Sequence, residues 1–315
     1  MRATAPLLVA AHEDCWEHRP FPGHPERPER LRAALEGAAS AGATDVAVEI
    51  DEHAVLTAVE RVHDGGLARR LREACAAAPA IFDCPDNPIS KGTYRAAIAA
   101  VACSLTAVDA VLGEKAMGVF VPARPPGHHA LRDRAMGFCF FNNVAIAAEE
   151  LLARSVGPVA IVDFDVHHGN GTQAHFWERD DVFYLSVHHY PFYPGGGGAD
   201  ETGGGRGRGF TRNLPLAAGA DDAIFTGAVA AGLQEILKTT VPRAWLVSAG
   251  FDAHREDPLG GMAVSDEGFA AIGTMLGQAR GKSPLIAVLE GGYSLEALRR
   301  SVRAFLVGLA ETAAS

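Results

Sequence analysis

Short apolar runs alternate with helical patterns along most of the chain, and this alternation is the feature that most constrains the fold. The apolar runs occupy residues 7–10, 118–121, 159–166, 182–187, 244–248 and 285–289. The helical patterns occupy residues 29–41, 93–112, 143–154, 221–237, 266–278 and 295–312. Alternation of this kind predicts an α/β fold with an open, mainly parallel sheet and helices on both faces. The runs are nearly continuous in Val, Ile and Leu, as expected of strands buried on both sides.

The bulk composition is that of an ordinary globular chain, with 315 residues of which 48% are apolar. Because we find no internal repeat and no Pro/Ser-rich linker, we expect a single domain over residues 1–315. The net charge of −10 argues against nucleic-acid binding, which needs a basic surface, and weakly favours a cationic substrate. The Gly-rich segment at residues 194–209 is either a flexible surface loop or the rim of a pocket.

The cysteines and the hydropathy of the chain are used to predict where in the cell the protein is located. The five cysteines are scattered and form no C-x-x-C pair, so we expect free thiols and a reducing cytoplasm. We expect residues 5–11 to form a first strand rather than a signal peptide. We also expect no membrane span, which would need ~20 consecutive apolar residues.

Polar side chains collect directly after four of the predicted strands. In open parallel sheets, ligands bind outside the carboxyl ends of the strands, so these side chains should converge although they are distant in sequence. They are His128 and His129 after the second run, Asp163, Asp165, His167 and His168 at the third, Asp252 and His254 after the fifth, and Glu290 and Tyr293 after the sixth.

Asp165 and His167 stand two residues apart, so in an extended chain both side chains would lie on one face. Oxygen and nitrogen ligands suit Zn²⁺, and Asp252 could supply a third ligand, leaving a fourth position open as in catalytic zinc sites. The alternative is a buried, hydrogen-bonded Asp–His pair that fixes loops. Four polar clusters on four strand ends favour the metal site.

The remaining polar groups suit proton transfer and carbonyl activation. The pair His128–His129 could move protons, since imidazole titrates near neutral pH; the alternative is two ordinary loop histidines. Tyr293 follows two glycines, and its hydroxyl could donate a hydrogen bond to a developing oxyanion; the alternative is a packed aromatic ring.

These segments together resemble the zinc-dependent histone deacetylase superfamily, which includes acetylpolyamine amidohydrolases and acetoin-utilisation proteins. The matching segments cover about residues 120–295, with HPERPERL at residues 24–31 in addition. HHGNGTQ and DPLGG resemble the class II branch and its bacterial relatives. The matches are RPPGHHA, GFCFFNNVAIAA, DFDVHHGNGTQ, SVHHYPFYPGG, SAGFDAHREDPLGG and EGGY. The resemblance implies an arginase/deacetylase-like fold.

The resemblance also implies two metal ions. Zinc would be held by Asp165, His167 and Asp252. A structural K⁺ would be held by the backbone carbonyls of Asp163, Asp165, His167 and Ser186.

Catalytic roles follow from the same resemblance. His129 would be the general base, and His128, oriented by Asp163, would act mainly through its charge. Asn170 stands where class I members carry the carboxylate that partners this base. Tyr293 would polarise the acetyl carbonyl.

The resemblance further implies a narrow tunnel for an acyl-amine chain, lined by Gly137, Phe138 and Tyr193. Asp83 would lie at the tunnel mouth and bind a substrate N–H. Polyamine-selective members in one branch carry an acidic residue at the position of Leu259, so that gatekeeper is absent here, although another acid such as Asp83 or Asp86 could replace it.

The resulting hypothesis is a zinc-dependent deacylase acting on an N-acetylated amine, either an acetyl-lysine side chain or a related small acyl-amine. An acetylpolyamine amidohydrolase is the first alternative, and a non-catalytic ligand-binding protein of the same fold is less favoured. A two-manganese ureohydrolase would need more bridging carboxylates near Asp165 and Asp252. Without a basic nuclear-localisation run, a stand-alone enzyme is favoured over a chromatin-complex subunit, and homo-oligomerisation is left open.

Overall fold

The computed structural model describes residues 6–77, 80–113, 116 and 118–311. In this part of the chain, eight parallel strands form one sheet in the order β2-β1-β3-β8-β7-β4-β5-β6. The strands are β1 (Leu7–Ala10), β2 (Thr44–Val46), β3 (Gly118–Val121), β4 (Val159–Asp163), β5 (Val182–His189), β6 (Thr211–Leu216), β7 (Ala244–Ala249) and β8 (Leu285–Leu289).

The helices cover the sheet on both faces, as the alternation in the sequence predicts. They are α1 (Glu29–Ser40), α2 (Glu52–Val62), α3 (Gly65–Ala77), α4 (Thr93–Leu112), α5 (Asn143–Ala153), α6 (Asn170–Phe176), α7 (Asp222–Thr239), α8 (Asp266–Arg280) and α9 (Leu295–Glu311).

Alternate side chains of β1, β3, β4, β5, β7 and β8 enter two separate apolar cores. In β4, Ile161 packs into the core formed with α2, α3, α4 and α5. Its neighbours Ala160 and Val162 face the opposite core, which contains side chains of α1, α7, α8 and α9. The strand is therefore buried on both faces, which explains why its sequence is a continuous apolar run rather than an alternating one.

The sheet order brings the four polar strand ends together. Strands β3, β8, β7 and β4 are consecutive neighbours in the sheet. All of them are parallel, so their carboxyl ends meet at one edge. The predicted convergence of the four polar clusters is therefore a direct result of topology.

Several elements differ from those predicted. The irregular chain begins directly after Asp163, so the predicted strand at residues 159–166 is too long. The short or partly exposed elements β2, β6, α2, α3 and α6 were not predicted. The remaining helix and strand limits agree within two residues. The predicted end of the last helix, Thr312, lies outside the described residues.

Helix α4 has the length and composition of a membrane-spanning helix, with 20 residues and a mean hydropathy of 1.7. Length and composition alone would therefore allow a membrane span here, although Arg95, Ser104 and Asp109 interrupt the apolar run. In the structure, 72% of this apolar window is buried inside the protein, where α4 packs in the core beside α5 and β3. A predominantly apolar helix is also what a buried core position requires.

A buried ionic cluster joins the segment before α1 to the loop after β3. The carboxylate of Glu26 accepts hydrogen bonds from Arg30 Nη1 (3.1 Å) and Arg124 Nη2 (3.0 Å), and all three side chains are fully buried. His18 Nε2 lies 3.3 Å from the same carboxylate. Burial opposes the charge of Glu26, but Arg124 and His18 hold its pKa below the usual range.

We predict that Glu26→Ala lowers the free energy of unfolding by about 3–5 kcal/mol, because it leaves two buried guanidinium groups without their carboxylate. Urea unfolding followed by circular dichroism measures the change. The matched control is Glu73→Ala, which removes an exposed carboxylate paired with Arg69 at the same i,i+4 spacing. The control should cost less than about 1 kcal/mol. Equal losses in both variants would contradict a structural role for the cluster.

Candidate active site

Asp165, His167 and Asp252 form a compact group of metal-ligating side chains at the carboxyl edge of the sheet. One ligand atom from each lies within 4.8 Å of the other two. His167 Nδ1 lies 3.2 Å from Asp165 Oδ1 and 3.1 Å from Asp252 Oδ2. Within the described residues, no other group of three such side chains meets this criterion. The sequence prediction for these three residues thus agrees with their placement.

Asp165 and His167 come together because the chain bends after β4. The sequence prediction had placed both on one face of an extended strand, and that part of it was wrong. The strand ends at Asp163, and the chain turns as side chains bind nearby backbone amides. Asp165 N donates to Asp163 Oδ1 (3.1 Å), and His167 N donates to Asp165 Oδ1 (2.9 Å). Val166 N donates to Asp252 Oδ1 (2.9 Å), which fixes the loop to the neighbouring strand end.

The two carboxylates are buried against each other, and this arrangement calls for a positive charge. Burial and the charge of Asp165 raise the pKa of Asp252 to about 7. Glycines allow the close approach: a Cβ at Gly250 would lie 2.0 Å from Asp165 Oδ2, and one at Gly291 would lie 2.0 Å from Asp252 Oδ2. Two carboxylate oxygens and one imidazole nitrogen form a donor set that suits zinc, so these residues fit a divalent cation.

The two adjacent histidines have different hydrogen-bond partners, and their pKa values shift in opposite directions. His129 Nδ1 donates to Asn170 Oδ1 (2.8 Å), and His128 Nδ1 donates to Asp163 Oδ2 (3.0 Å). Burial lowers the pKa of His129 well below its ordinary value, and the nearby charge of His128 adds to this. Burial also opposes a charge on His128, but the carboxylates of Asp163 and Asp165 raise its pKa to about 10.

Glu290 anchors the turn that carries the two histidines. Its Oε2 accepts from Gly127 N (2.7 Å) and His128 N (3.1 Å), and its Oε1 accepts from Ser248 Oγ (3.3 Å). Gly127 is required by close packing, since a Cβ there would lie 2.6 Å from Asn143 N. The histidine turn is thus fixed from both sides.

Tyr293 lies beside the triad, on the loop after β8. Burial raises the pKa of its phenol well above the ordinary value, so the hydroxyl keeps its proton. The guanidinium carbon of Arg30 lies 4.8 Å from the centre of its ring. Arg30 also donates to the carbonyls of Glu290 and Gly292, the latter at 2.6 Å, and so holds the loop before Tyr293.

One cavity of about 150 Å³ connects His129, His167 and Tyr293 to solvent. Gly137, Phe138 and Tyr193, which the resemblance places in a tunnel, belong to its wall together with Leu259. The full lining consists of Asp86, His129, Gly137, Phe138, His167, Tyr193, Leu259 and Tyr293.

Asp83 is not part of this lining, so its predicted place at the tunnel mouth was wrong. Its Oδ2 lies 3.0 Å from Arg70 Nη2 on helix α3 and accepts from Ala135 N (3.0 Å), so it connects its own loop to that helix and to the loop that contains Ala135. Asp86 lines the cavity instead, where its Oδ2 accepts from Tyr193 OH (2.7 Å) and Gly137 N (3.1 Å). Only Cys84 and Pro85 separate the two acids, and the turn that they form determines which acid faces the cavity.

The Gly-rich segment supports the site from outside the cavity. Gly197 adopts a φ of +91°, and a Cβ there would lie 2.5 Å from His188 Nε2. Glu201 Oε1 accepts from Gly197 N and Gly198 N, both at 2.9 Å. The segment is therefore a fixed loop packed on a buried histidine, and the residue just before it, Tyr193, forms the cavity wall.

Three supporting residues received no role from sequence reasoning: Glu290, Arg30 and Asp257. All three stand inside motifs that were recognised, namely EGGY, HPERPERL and DPLGG. Each acts mainly through backbone groups of another loop. A motif marks such a residue but does not show which distant amide or carbonyl it contacts.

Comparison with known proteins gives consistent matches. A family model described as histone deacetylase domain matches residues 24–309. Histone deacetylase-like amidohydrolase of Pseudomonas aeruginosa is 42% identical over 214 residues, 66% of this chain and 56% of that protein. Acetylpolyamine amidohydrolase of Burkholderia pseudomallei is 42% identical over 224 residues, 70% of this chain and 64% of that protein. These alignments thus span less than two thirds of either relative.

A solved structure matches over nearly the full length. The crystal structure of the HDA15 HD domain is similar with a TM-score of 0.87 and 32% sequence identity. The alignment covers 99% of this chain and 93% of that chain. The fold class predicted from the sequence is therefore confirmed.

We predict that metal-depleted protein takes up about one zinc ion per chain, since three clustered ligands form one site with an open position. Asp252→Ala should abolish this uptake, measured by inductively coupled plasma mass spectrometry after dialysis. Asp83→Asn is the control, because Asp83 lies outside the site, and it should keep the wild-type stoichiometry. Uptake of two manganese ions would instead favour the ureohydrolase alternative.

Proposed function

Because the chain belongs to the histone deacetylase family, we propose that it is a zinc-dependent deacylase that hydrolyses the amide of an N-acetylated amine. The observation that carries the proposal is the convergence of His167, His129 and Tyr293 on one cavity, with Asp165 and Asp252 behind them. The family is zinc-dependent, and the donor set of this chain fits that ion. Zinc, when bound, supplies a Lewis acid that activates water and polarises a carbonyl.

His129 is the proposed general base. Its Nδ1–H donates to Asn170 Oδ1, which leaves Nε2 free to accept a proton, and the ring lines the cavity. It would take a proton from the attacking water and return it to the leaving amine. An amide at position 170 orients this ring without adding the negative charge that a carboxylate would bring.

His128 is the proposed electrostatic partner. Its ring centre lies 4.0 Å from that of His129, and Asp163 fixes its Nδ1. The ring is not part of the cavity lining, so it would act on the reacting groups through charge and not through contact. Tyr293, which does line the cavity, would donate its hydroxyl proton in a hydrogen bond to the carbonyl oxygen of the substrate.

The cavity wall supports a substrate with a slender acyl-amine chain. Phe138 and Tyr193 provide aromatic surface, and Leu259 is apolar, so the acidic gatekeeper of one polyamine-selective branch is missing. Asp86 Oδ1 is buried and has no hydrogen-bond partner within the described part of the chain. Because Asp86 belongs to the cavity lining, its carboxylate is a candidate acceptor for an N–H of an acetyl-lysine peptide, and equally of an acetylpolyamine, which remains the second candidate.

We also propose a structural K⁺ held by the backbone carbonyls of Asp163, Asp165, His167 and Ser186. Ser186 on β5 pairs in register with Asp163 on β4, which supports a shared site. A cytoplasmic location is proposed as well, supported by five cysteines that are all free and buried.

We predict that Tyr293→Phe lowers kcat by about 10²- to 10³-fold, the loss expected when one oxyanion donor is removed. The measurement is steady-state hydrolysis of an acetyl-lysine peptide, with zinc content determined in parallel. Tyr190→Phe is the control, because Tyr190 is exposed and lies outside the cavity lining. Wild-type turnover in Tyr293→Phe would contradict the assignment.

Substrate class is tested by comparing an acetyl-lysine peptide with acetylputrescine, acetylspermidine and longer or trifluoroacetylated amides. We expect hydrolysis of at least one acetylated amine, and loss of that activity when a chelator removes the metal, because zinc supplies the Lewis acid. Readdition of zinc should restore the rate. Hydrolysis that survives complete metal removal would contradict the mechanism, and no hydrolysis of any substrate would favour the non-catalytic alternative.

A further inference from the structure

We infer that Asp257 is a positioning residue that fixes Tyr293 in its catalytic orientation and links it to the cavity wall at Leu259. The inference rests on the proposed function, because it takes Tyr293 to be the oxyanion donor. Asp257 does not line the cavity, so it acts through the residues that it holds.

The carboxylate of Asp257 binds backbone amides of two loops. Its Oδ2 accepts from Tyr293 N (2.6 Å) and from Ser294 N (3.3 Å). Its Oδ1 accepts from Leu259 N (2.9 Å) in its own loop. Hydrogen bonds to an ionised acceptor are shorter and stronger than neutral ones, so this carboxylate is a firm connection.

The loop that carries Tyr293 needs such a connection. It follows Gly291 and Gly292, and Gly292 adopts a φ of +119° that side-chain-bearing residues rarely take. Glycines leave the backbone with more freedom than other residues, so neighbouring contacts must determine where the tyrosine points. Arg30 holds the carbonyls of Glu290 and Gly292, while Asp257 holds the amides on the far side of the glycines.

The loop that carries Asp257 is itself anchored in the site. It begins beyond β7 with Asp252, one of the three candidate metal ligands, and continues to Leu259 in the cavity wall. Asp257 N donates to the carbonyl of His254 (2.8 Å), which closes a turn inside this loop. One side chain therefore ties together the loops that carry a metal ligand, a cavity-wall residue and the catalytic tyrosine.

The test is a double-mutant cycle between Asp257→Ala and Tyr293→Phe, with kcat, KM, zinc content and melting temperature measured for each variant. We expect Asp257→Ala to lower kcat by about 10- to 100-fold, because a small displacement of a catalytic group costs about that much. In the Tyr293→Phe background the same change should lower kcat by less than about 3-fold, since the hydroxyl that Asp257 positions is already gone.

Two further variants separate positioning from general destabilisation. Asp257→Asn keeps one oxygen acceptor and should recover part of the lost kcat. Glu256→Gln changes the neighbouring carboxylate, which pairs with partly exposed Arg300, and should keep wild-type kcat. If Asp257→Ala is poorly folded, the cycle is run with Asp257→Asn, for which we expect a smaller loss with the same dependence on Tyr293.

The outcomes are distinguishable. Equal losses from the Asp257 change in both backgrounds, or wild-type kcat for Asp257→Ala at full zinc content, would overturn the positioning role. If Tyr293→Phe alone keeps wild-type kcat, the proposed function fails instead. A loss in Asp257→Ala that is explained entirely by lost zinc would also overturn the inference, because it would place the effect at Asp252.

Discussion

Two buried carboxylates, Asp165 and Asp252, share one imidazole, and the surrounding chain is arranged to accommodate them. Bringing two negative charges close together inside a protein is costly unless a positive charge or hydrogen-bond donors compensate. Here the compensation comes from His167 and from backbone amides, and the three ligand atoms lie close enough together to bind a cation as well. The glycines at 250 and 291 are part of that arrangement, because a side chain on either would meet a carboxylate oxygen.

Three other carboxylates near the candidate metal ligands also bind backbone amides. Asp163, Glu290 and Asp257 each accept hydrogen bonds from main-chain amides of loops that leave the carboxyl edge of the sheet. Irregular loops carry amides without a secondary-structure partner, and a buried carboxylate satisfies two of them at once. These hydrogen bonds hold the loops in place although the loops are neither helix nor strand, as a preorganised catalytic site requires.

Much of this arrangement could be predicted from the sequence, because long apolar strands and polar strand ends have strong signatures. The parallel order of β3, β8, β7 and β4 then makes convergence of their ends unavoidable. The local path of the chain was harder to predict. Asp165 and His167 meet through a turn, and the choice between Asp83 and Asp86 depends on loop geometry. Such details depend on tertiary hydrogen bonds that leave no periodic signal.

The hydrogen bond from Tyr193 to Asp86 means that these two residues of the cavity wall cannot be redesigned one at a time. Replacing Tyr193 by a smaller residue to widen the entrance also removes a hydrogen-bond donor from Asp86. The carboxylate would then present more uncompensated negative charge to an incoming molecule. The width and the polarity of the cavity entrance therefore both depend on the hydrogen bond between Tyr193 and Asp86. Variation among natural relatives should consequently show these two positions changing in concert.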